Sequence, residues 1–248
     1  MLNELMSSRF GSGKFVLFLQ SKHNAETEKV SGAEALSRYK TDSGVIITPD
    51  KYIDILEEVS LISELDFCML KLSCDFLTKL RSECIIPISV NFSKTTFEQE
   101  NFLDRFSDMV KNFNIPPSCI ELEITELHRF HDLEKMSIVI DSLRAKGYSV
   151  SIDDYGKNSS AFSIIRHVDI DIIKMDKEII WESTKKEKTK LIFKSVVDLS
   201  KKLNISVVAE GVETEEQLSL AREMGCDNIQ GWYFSKAIPD EEFMAKIS

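Results

Sequence analysis

Residues 133–154 read LEKMSIVIDSLRAKGYSVSIDD. The spacing predicts a helix over Leu133–Lys146. Gly147 stops it, because glycine takes left-handed backbone angles without a Cβ penalty. Tyr148–Asp153 then predicts a strand, and the acid pair Asp153-Asp154 closes its apolar run. Helix, stop, strand, acid is an α/β unit.

The alternation extends outward in both directions. Toward the N-terminus the sequence predicts a strand at Ile120–Thr125, a break at Pro116-Pro117, a helix over Glu98–Phe113 and a strand at Pro87–Asn91. Before these come a helix from about Ile62 to Arg81 and a helical stretch opened by Pro49, with Tyr52, Ile55, Leu56 and Val59 on one face. Toward the C-terminus it predicts a short helix at Ser160–Arg166, a strand at Ile170–Lys174 and a helix over Lys186–Leu203. A strand at Ile205–Glu210 and a helix over Thr214–Met224 follow, the latter opened by a Thr214/Gln217 capping box and stopped by Gly225. A short strand at Asn228–Gln230 and a helix over Asp240–Ile247 close the chain. Short strands alternating with helices predict parallel pairing in a single (β/α) barrel, with a doubly wound open sheet as the alternative. The first two strands, Phe15–Gln20 and Ser31–Arg38, adjoin with no helix between them, which leaves room for one early antiparallel strand.

Composition narrows the class. At 248 residues and 43% hydrophobic content the chain fits one large α/β domain or two small ones. No run approaches the roughly 18 apolar residues of a membrane span, and Met1–Lys14 lacks the features of a secretory signal. No membrane insertion by this segment is expected. The net charge of −10 argues against a polymeric nucleic-acid partner. It leaves room for a small anionic ligand, since bound cations reverse a local field. Cys68, Cys74, Cys84, Cys119 and Cys226 form no C-x-x-C pair, so free thiols and a cytoplasmic location are expected. The basic run Lys185–Lys190 reads as a solvated segment. His128 and His131 lack further partners for zinc.

Asn91, Glu123, Asp153, Asp154 and Glu210 sit in or at the ends of apolar runs. Strand ends converge on one rim of a barrel, and oxygen ligands brought together there suit a hard divalent cation. Singly, each has a plainer reading. Asn91 fits a turn, Glu123 fits a solvent-facing strand position, Asp153-Asp154 fits a turn, and Lys174 fits a surface bridge to Asp171 or Asp176. Together they require every strand end to carry an unrelated acid, so the joint reading is preferred.

Several segments in order resemble the EAL-domain family of bacterial cyclic di-GMP phosphodiesterases. They are Glu34-Ala35-Leu36, Ser89–Ser93, Glu121–Glu126, Asp153–Gly156, Lys174-Met175-Asp176, Ala209–Thr214 and Gln230–Phe234. The resemblance runs from about Lys14 to the C-terminus, which sets residues 1–13 apart as an N-terminal extension and 14–248 as the domain. It implies a modified TIM (β/α)8 barrel holding Mg2+ or Mn2+ as a two-metal site, and hydrolysis of cyclic di-GMP to linear 5′-pGpG. Glu34, Asn91, Glu123 and Asp153 would hold one cation; Asp153, Asp154 and Glu210 would hold the second. Lys174 would contact the attacking water. Gln20, Arg38, Asp176, Glu213 and Gln230 would line the substrate or support the site, and Glu126 would brace the loop after Asp154. The resemblance also leaves open a homodimer, and a regulatory domain if the chain is part of a longer protein. The family pattern after the acid pair is Phe-Gly-Thr-Gly-Tyr; here Tyr155-Gly156-Lys157-Asn158-Ser159 stands in its place. That departure supports an alternative, a cyclic di-GMP receptor with little turnover. A barrel that has lost its ligand is a third reading, opposed by Arg38 and Gln230.

Overall fold

The computed structural model describes residues 1–80, 86–124, 132–157 and 165–247. β1 (Gly13–Asn24) and β2 (Val30–Thr41) form a long antiparallel ribbon with Leu19 opposite Ala35 and Gln20 opposite Glu34. The short link between them has no room for a crossover, so antiparallel pairing is the only choice. β3 (Ile46–Ile47) adds a short edge to β2. From there the chain alternates through β4 (Ile88–Phe92), β5 (Ile120–Ile124), β6 (Ser149–Tyr155), β7 (Ile172–Met175), β8 (Ser206–Ala209) and β9 (Asn228–Gln230). β2 and β4 to β9 pair in parallel in that order. β9 then pairs antiparallel with β1, which closes the ring. β10 (Ile238–Pro239) caps the outer part of β1. The expected barrel with one early antiparallel strand is therefore what forms, and the strand that runs against the rest is β1.

Pleating decides what each strand contributes. On β5, Ile120, Leu122 and Ile124 face the helix layer, while Glu121 and Glu123 face inward; all five are buried. On β1, Phe15, Leu17 and Leu19 join the apolar layer. Gln20 and Lys22 take the opposite face. The apolar core thus lies between the barrel and its helices, and the barrel interior is polar. Helices Ile62–Leu77, Leu133–Ala145, Glu187–Lys202 and Glu215–Met224 cover the outside. The capping box at Thr214 and Gln217 is present, and Gly225 ends that helix at φ 87°.

Local expectations shift in three places. The helix expected over Glu98–Phe113 is shorter, Phe102–Val110, and a separate turn of helix, Lys94–Phe97, precedes it, capped by the Ser93 side chain accepting from Thr96 N. A helix at Lys177–Ser183, capped by Asp176, precedes Glu187–Lys202 and escaped the sequence reading. Leu2–Phe10 is also helical; its Met6 is buried, and the Tyr39 hydroxyl donates to Gly11 O at 3.0 Å. Most of the expected helix Ser160–Arg166 lies outside the described residues, as do Cys84, Glu126, His128 and His131. Cys68, Cys74, Cys119 and Cys226 are unbridged. Among the described residues no helix is long and apolar enough to cross a membrane.

Candidate active site

Lys174 leaves β7 pointing into the barrel, with its side chain 1% exposed. Its ammonium meets carboxylates from four other places in the fold. Glu123 Oε1 on β5 is in close hydrogen-bond contact. Glu210 Oε1, just past β8, is at 2.8 Å, Glu34 Oε2 on β2 at 3.3 Å and Asp153 Oδ1 on β6 at 3.4 Å. Asn91 Nδ2 donates to Glu34 Oε1 at 3.0 Å, which orients the amide with its oxygen away from that bond. Gln230 Nε2 donates to Glu34 Oε2 and, at 3.3 Å, to Gln20 Oε1. Gln20 Nε2 donates in turn to Ser235 O at 3.1 Å. The plainer readings of Glu123 and Lys174 do not survive. Glu123 is fully buried, and Lys174 pairs inward while Asp171 bonds Arg144 at 3.0 Å.

β6 bends where the acid pair begins. Its register with β7 shifts between Ile152 and Tyr155. Asp154 adopts φ 52° and Gly156 φ 99°, both left-handed. The bend lets Asp153 stay inside while Asp154 turns to the rim. Asp154 Oδ2 is taken by Lys157 Nζ at 2.9 Å.

The electrostatics follow from this crowding. Burial raises the Glu123 carboxyl to about 8, helped by Glu34 and opposed by Lys174. Burial likewise pushes Glu210 well above the usual carboxylate range. Burial alone would lower Lys174, but Asp153, Glu123, Glu210 and Glu34 together hold it well above its ordinary value, so it stays a cation. Glu123 Oε2 and Gln230 Oε1 are buried without a hydrogen-bond donor, and buried Asp153 Oδ1 has only the ion-pair contact with Lys174 at 3.4 Å. Buried oxygens left this way need an explanation, and an ion is one. Among the described residues no three acids or imidazoles close on one point at ligating distance; the ammonium occupies that centre. The donor set itself suits a hard cation, being all oxygen apart from Lys174. Fully ionised, the five acids Glu34, Glu123, Asp153, Asp154 and Glu210 against the one ammonium of Lys174 leave four negative charges, which two divalent cations balance.

A cavity of about 610 Å³ opens above this layer, lined by Gln20, Glu34, Asp154, Asp176, Glu210, Glu213 and Gln230, with Trp181 and Trp232. A larger groove, about 730 Å³, runs along the outside of β1 beside Leu72 and Asp75 and contains none of these residues. Arg38 shares the inward face of β2 with Glu34 but is not part of the 610 Å³ lining; it donates to Ser37 O at 2.8 Å and stands over the Phe18 ring. Glu126 lies outside the described residues.

Sequence reasoning missed two supports. Asp66, on helix Ile62–Leu77, accepts from Ser93 N, Ser93 Oγ and Thr96 Oγ1 and so fixes the chain just past Asn91. Lys22 and Glu121 form a second buried pair on the same inward faces as Gln20 and Glu123. The period-two spacing of Gln20/Lys22 and Glu121/Glu123 carried that signal.

The family model for the EAL domain matches residues 3–237. The chain belongs to the EAL-domain family. It is 30% identical over 231 residues to the signaling protein YkoW of Bacillus subtilis, covering 93% of this chain and 29% of that protein. It is 30% identical over 217 residues to the probable cyclic di-GMP phosphodiesterase PdeB of Escherichia coli, covering 87% and 41%. The chain thus spans less than half the length of these relatives. Among solved structures, the phosphodiesterase PaMucR in complex with c-di-GMP matches with TM-score 0.87 at 27% identity, covering 98% of this chain and 97% of that one. An EAL domain protein from Listeria monocytogenes matches with TM-score 0.79 at 30% identity, covering 94% and 92%.

Proposed function

We propose that this EAL domain is a metal-dependent phosphodiesterase that hydrolyses cyclic di-GMP to linear 5′-pGpG. The observation that carries the reading is the buried Lys174 ammonium among Glu34, Glu123, Asp153 and Glu210. A structural ion pair needs one carboxylate; this cluster keeps an excess of acid at the floor of an open cavity. Burying such an excess is costly unless cations offset it. Relatives named for cyclic di-GMP hydrolysis, and one solved with that nucleotide, support the substrate.

Glu34, Asn91, Glu123 and Asp153 would hold one Mg2+ or Mn2+, and Asp153, Asp154 and Glu210 the other. When bound, the ions lower the pKa of water and neutralise phosphate charge. The chain's own groups do the rest. Asn91 supplies an oxygen without adding charge. Lys174 orients the attacking water by hydrogen bonding and balances charge that develops on the phosphate oxygens. Gln230 holds Glu34 in place, and the cavity walls position the nucleotide. Water adds to phosphorus, one ester oxygen leaves as a 3′-hydroxyl, and the ring opens.

Purified protein with Mn2+ or Mg2+ should linearise cyclic di-GMP, and Glu34→Ala should abolish turnover. Equal rates in the variant would overturn the assignment. A second reading, a receptor that binds without cutting, is favoured by one observation, the engagement of Asp154 by Lys157. Nucleotide binding with no turnover at saturating metal would select it. Cytoplasmic placement, a homodimer and an attached regulatory domain remain part of this proposal for the whole protein.

A further inference from the structure

The turn that ends β6 carries its own cation. Lys157 follows Asp154 by three residues, and its backbone N donates to Asp154 O at 3.3 Å. Its Nζ stands 2.9 Å from Asp154 Oδ2, with the two side chains 49% and 46% exposed. Both residues line the cavity above the acid layer. Asp176 and Glu178 lie near enough to act on the same ammonium.

We infer that Lys157 is a tethered monovalent cation that competes with the second divalent ion for Asp154. The inference rests on the two-ion reading of the site given above. The carboxylate that would face the outer ion already faces a positive group, held close by a three-residue link whose effective concentration is high. A divalent ion must displace the ammonium and then tolerate it nearby. The displaced side chain has Asp176 and Glu178 to turn to, so it remains on the rim as an opposing charge. The inner ligands Glu34, Asn91 and Glu123 make no contact with Lys157, so the inner ion is unaffected. The site should therefore fill in two stages, with the outer ion taken up only at higher divalent concentration. A threonine, the residue of the family pattern at this position, would impose no such stage.

An exposed pair of this kind is worth little, so the effect is a shift in affinity rather than a block. The test is Mn2+ binding to the full chain, by calorimetry and by electron paramagnetic resonance of free Mn2+, for wild type, Lys157→Thr and Lys157→Arg. Lys157→Thr should tighten the weaker Mn2+ by about two- to fivefold, with the tighter one unchanged. Lys157→Arg, which keeps the charge, should match wild type. The difference between wild type and Lys157→Thr should shrink as salt rises, because surface charge is screened. Identical isotherms for the three proteins, or weaker binding in Lys157→Thr, would overturn the inference while leaving the two-ion reading intact. Absence of any Mn2+ uptake by all three would overturn the two-ion reading itself, and this inference with it. Unchanged thermal unfolding in the metal-free variants confirms that the comparison is between folded proteins.

Discussion

Lys22 on β1 reaches across the barrel interior to Glu121 on β5, its Nζ 2.9 and 3.0 Å from the two carboxylate oxygens, with side chains only 6% and 5% exposed. Glu121 lies two residues before Glu123 on the same inward face, so this pair forms a floor beneath the Lys174 cluster. Gly32 stands opposite Lys22 in the ribbon, and an added Cβ there would lie 3.0 Å from Pro87 O. Removing one partner strands a buried charge. Lys22→Met should lower unfolding free energy by about 3–5 kcal/mol, whereas Lys22→Met with Glu121→Met should recover most of the loss. Denaturant titration of the metal-free proteins checks this. A double variant as unstable as the single one would show that the charges themselves matter little.

That floor marks the limit of what the sequence made legible. The alternation of helix and strand was plain because Gly147, Gly225 and the Thr214 cap punctuate it, and the acids at the strand ends pointed to one rim. The face of Glu123 was not legible. Alternation with Leu122 and Ile124 describes a half-exposed strand as well as a strand between an apolar helix layer and a polar lumen. Only closure of the ring by β1 and β9 separates the two, and that contact joins Lys22 to Gln230 across most of the chain. The helix Lys177–Ser183 was missed because it is short and its start depends on the Asp176 side chain accepting from Glu178 N, a contact that competes with reading Asp176 as a site residue.

The acid layer should make the metal-free protein sensitive to rising pH. Glu123 is raised from 4.5 to about 8, chiefly by burial, and Asp66 from 3.8 to about 6 for the same reason. Between the unfolded and folded values the native chain holds a proton that the unfolded chain has released. The slope of unfolding free energy with pH is then negative. Stability from Glu123 is full below about 4.5 and is lost as pH climbs to about 8. Relative to Glu123→Gln, wild type should lose denaturant resistance steadily from pH 5 to 8. Mn2+ uptake at pH 7 should release protons, since ligating carboxylates must ionise. Calorimetry in two buffers of different ionisation enthalpy measures that release, and a result near zero would contradict the raised values.

Lys174 should matter to folding as well as to chemistry. Lys174→Met leaves Glu34, Glu123, Asp153 and Glu210 facing one another without a cation. The metal-free variant should unfold about 3–5 kcal/mol more easily at pH 8. Mn2+ should then raise its melting temperature by more than it raises that of wild type, because the ions replace the missing charge. Equal metal-induced shifts would mean that the lysine does not stand in for cations in the metal-free cluster.

Gly231 follows Gln230 at the exit of β9 and has almost no space around it. An added Cβ would lie 2.0 Å from Val212 O, 2.4 Å from Val212 N and 2.7 Å from Val212 C. These are backbone atoms, tied by Val212 N donating to Gln230 O at 3.2 Å and Tyr233 N donating to Val212 O at 3.0 Å. Neither chain can yield without moving the Gln230 amide off Glu34 and shifting Glu213, the next residue after Val212. Gly231→Ala should cost at least about 1–3 kcal/mol of stability, the range for overpacking, and should also lower turnover of cyclic di-GMP in the fraction that folds. Gly44→Ala is the control. Gly44 has φ 87° but nothing within 4 Å of an added Cβ. It should lose about 1–2 kcal/mol from backbone strain alone and keep full activity. A Gly231→Ala enzyme as active per folded molecule as Gly44→Ala would show that the packing of β9 against Val212 does not hold the substrate-facing side chains in place.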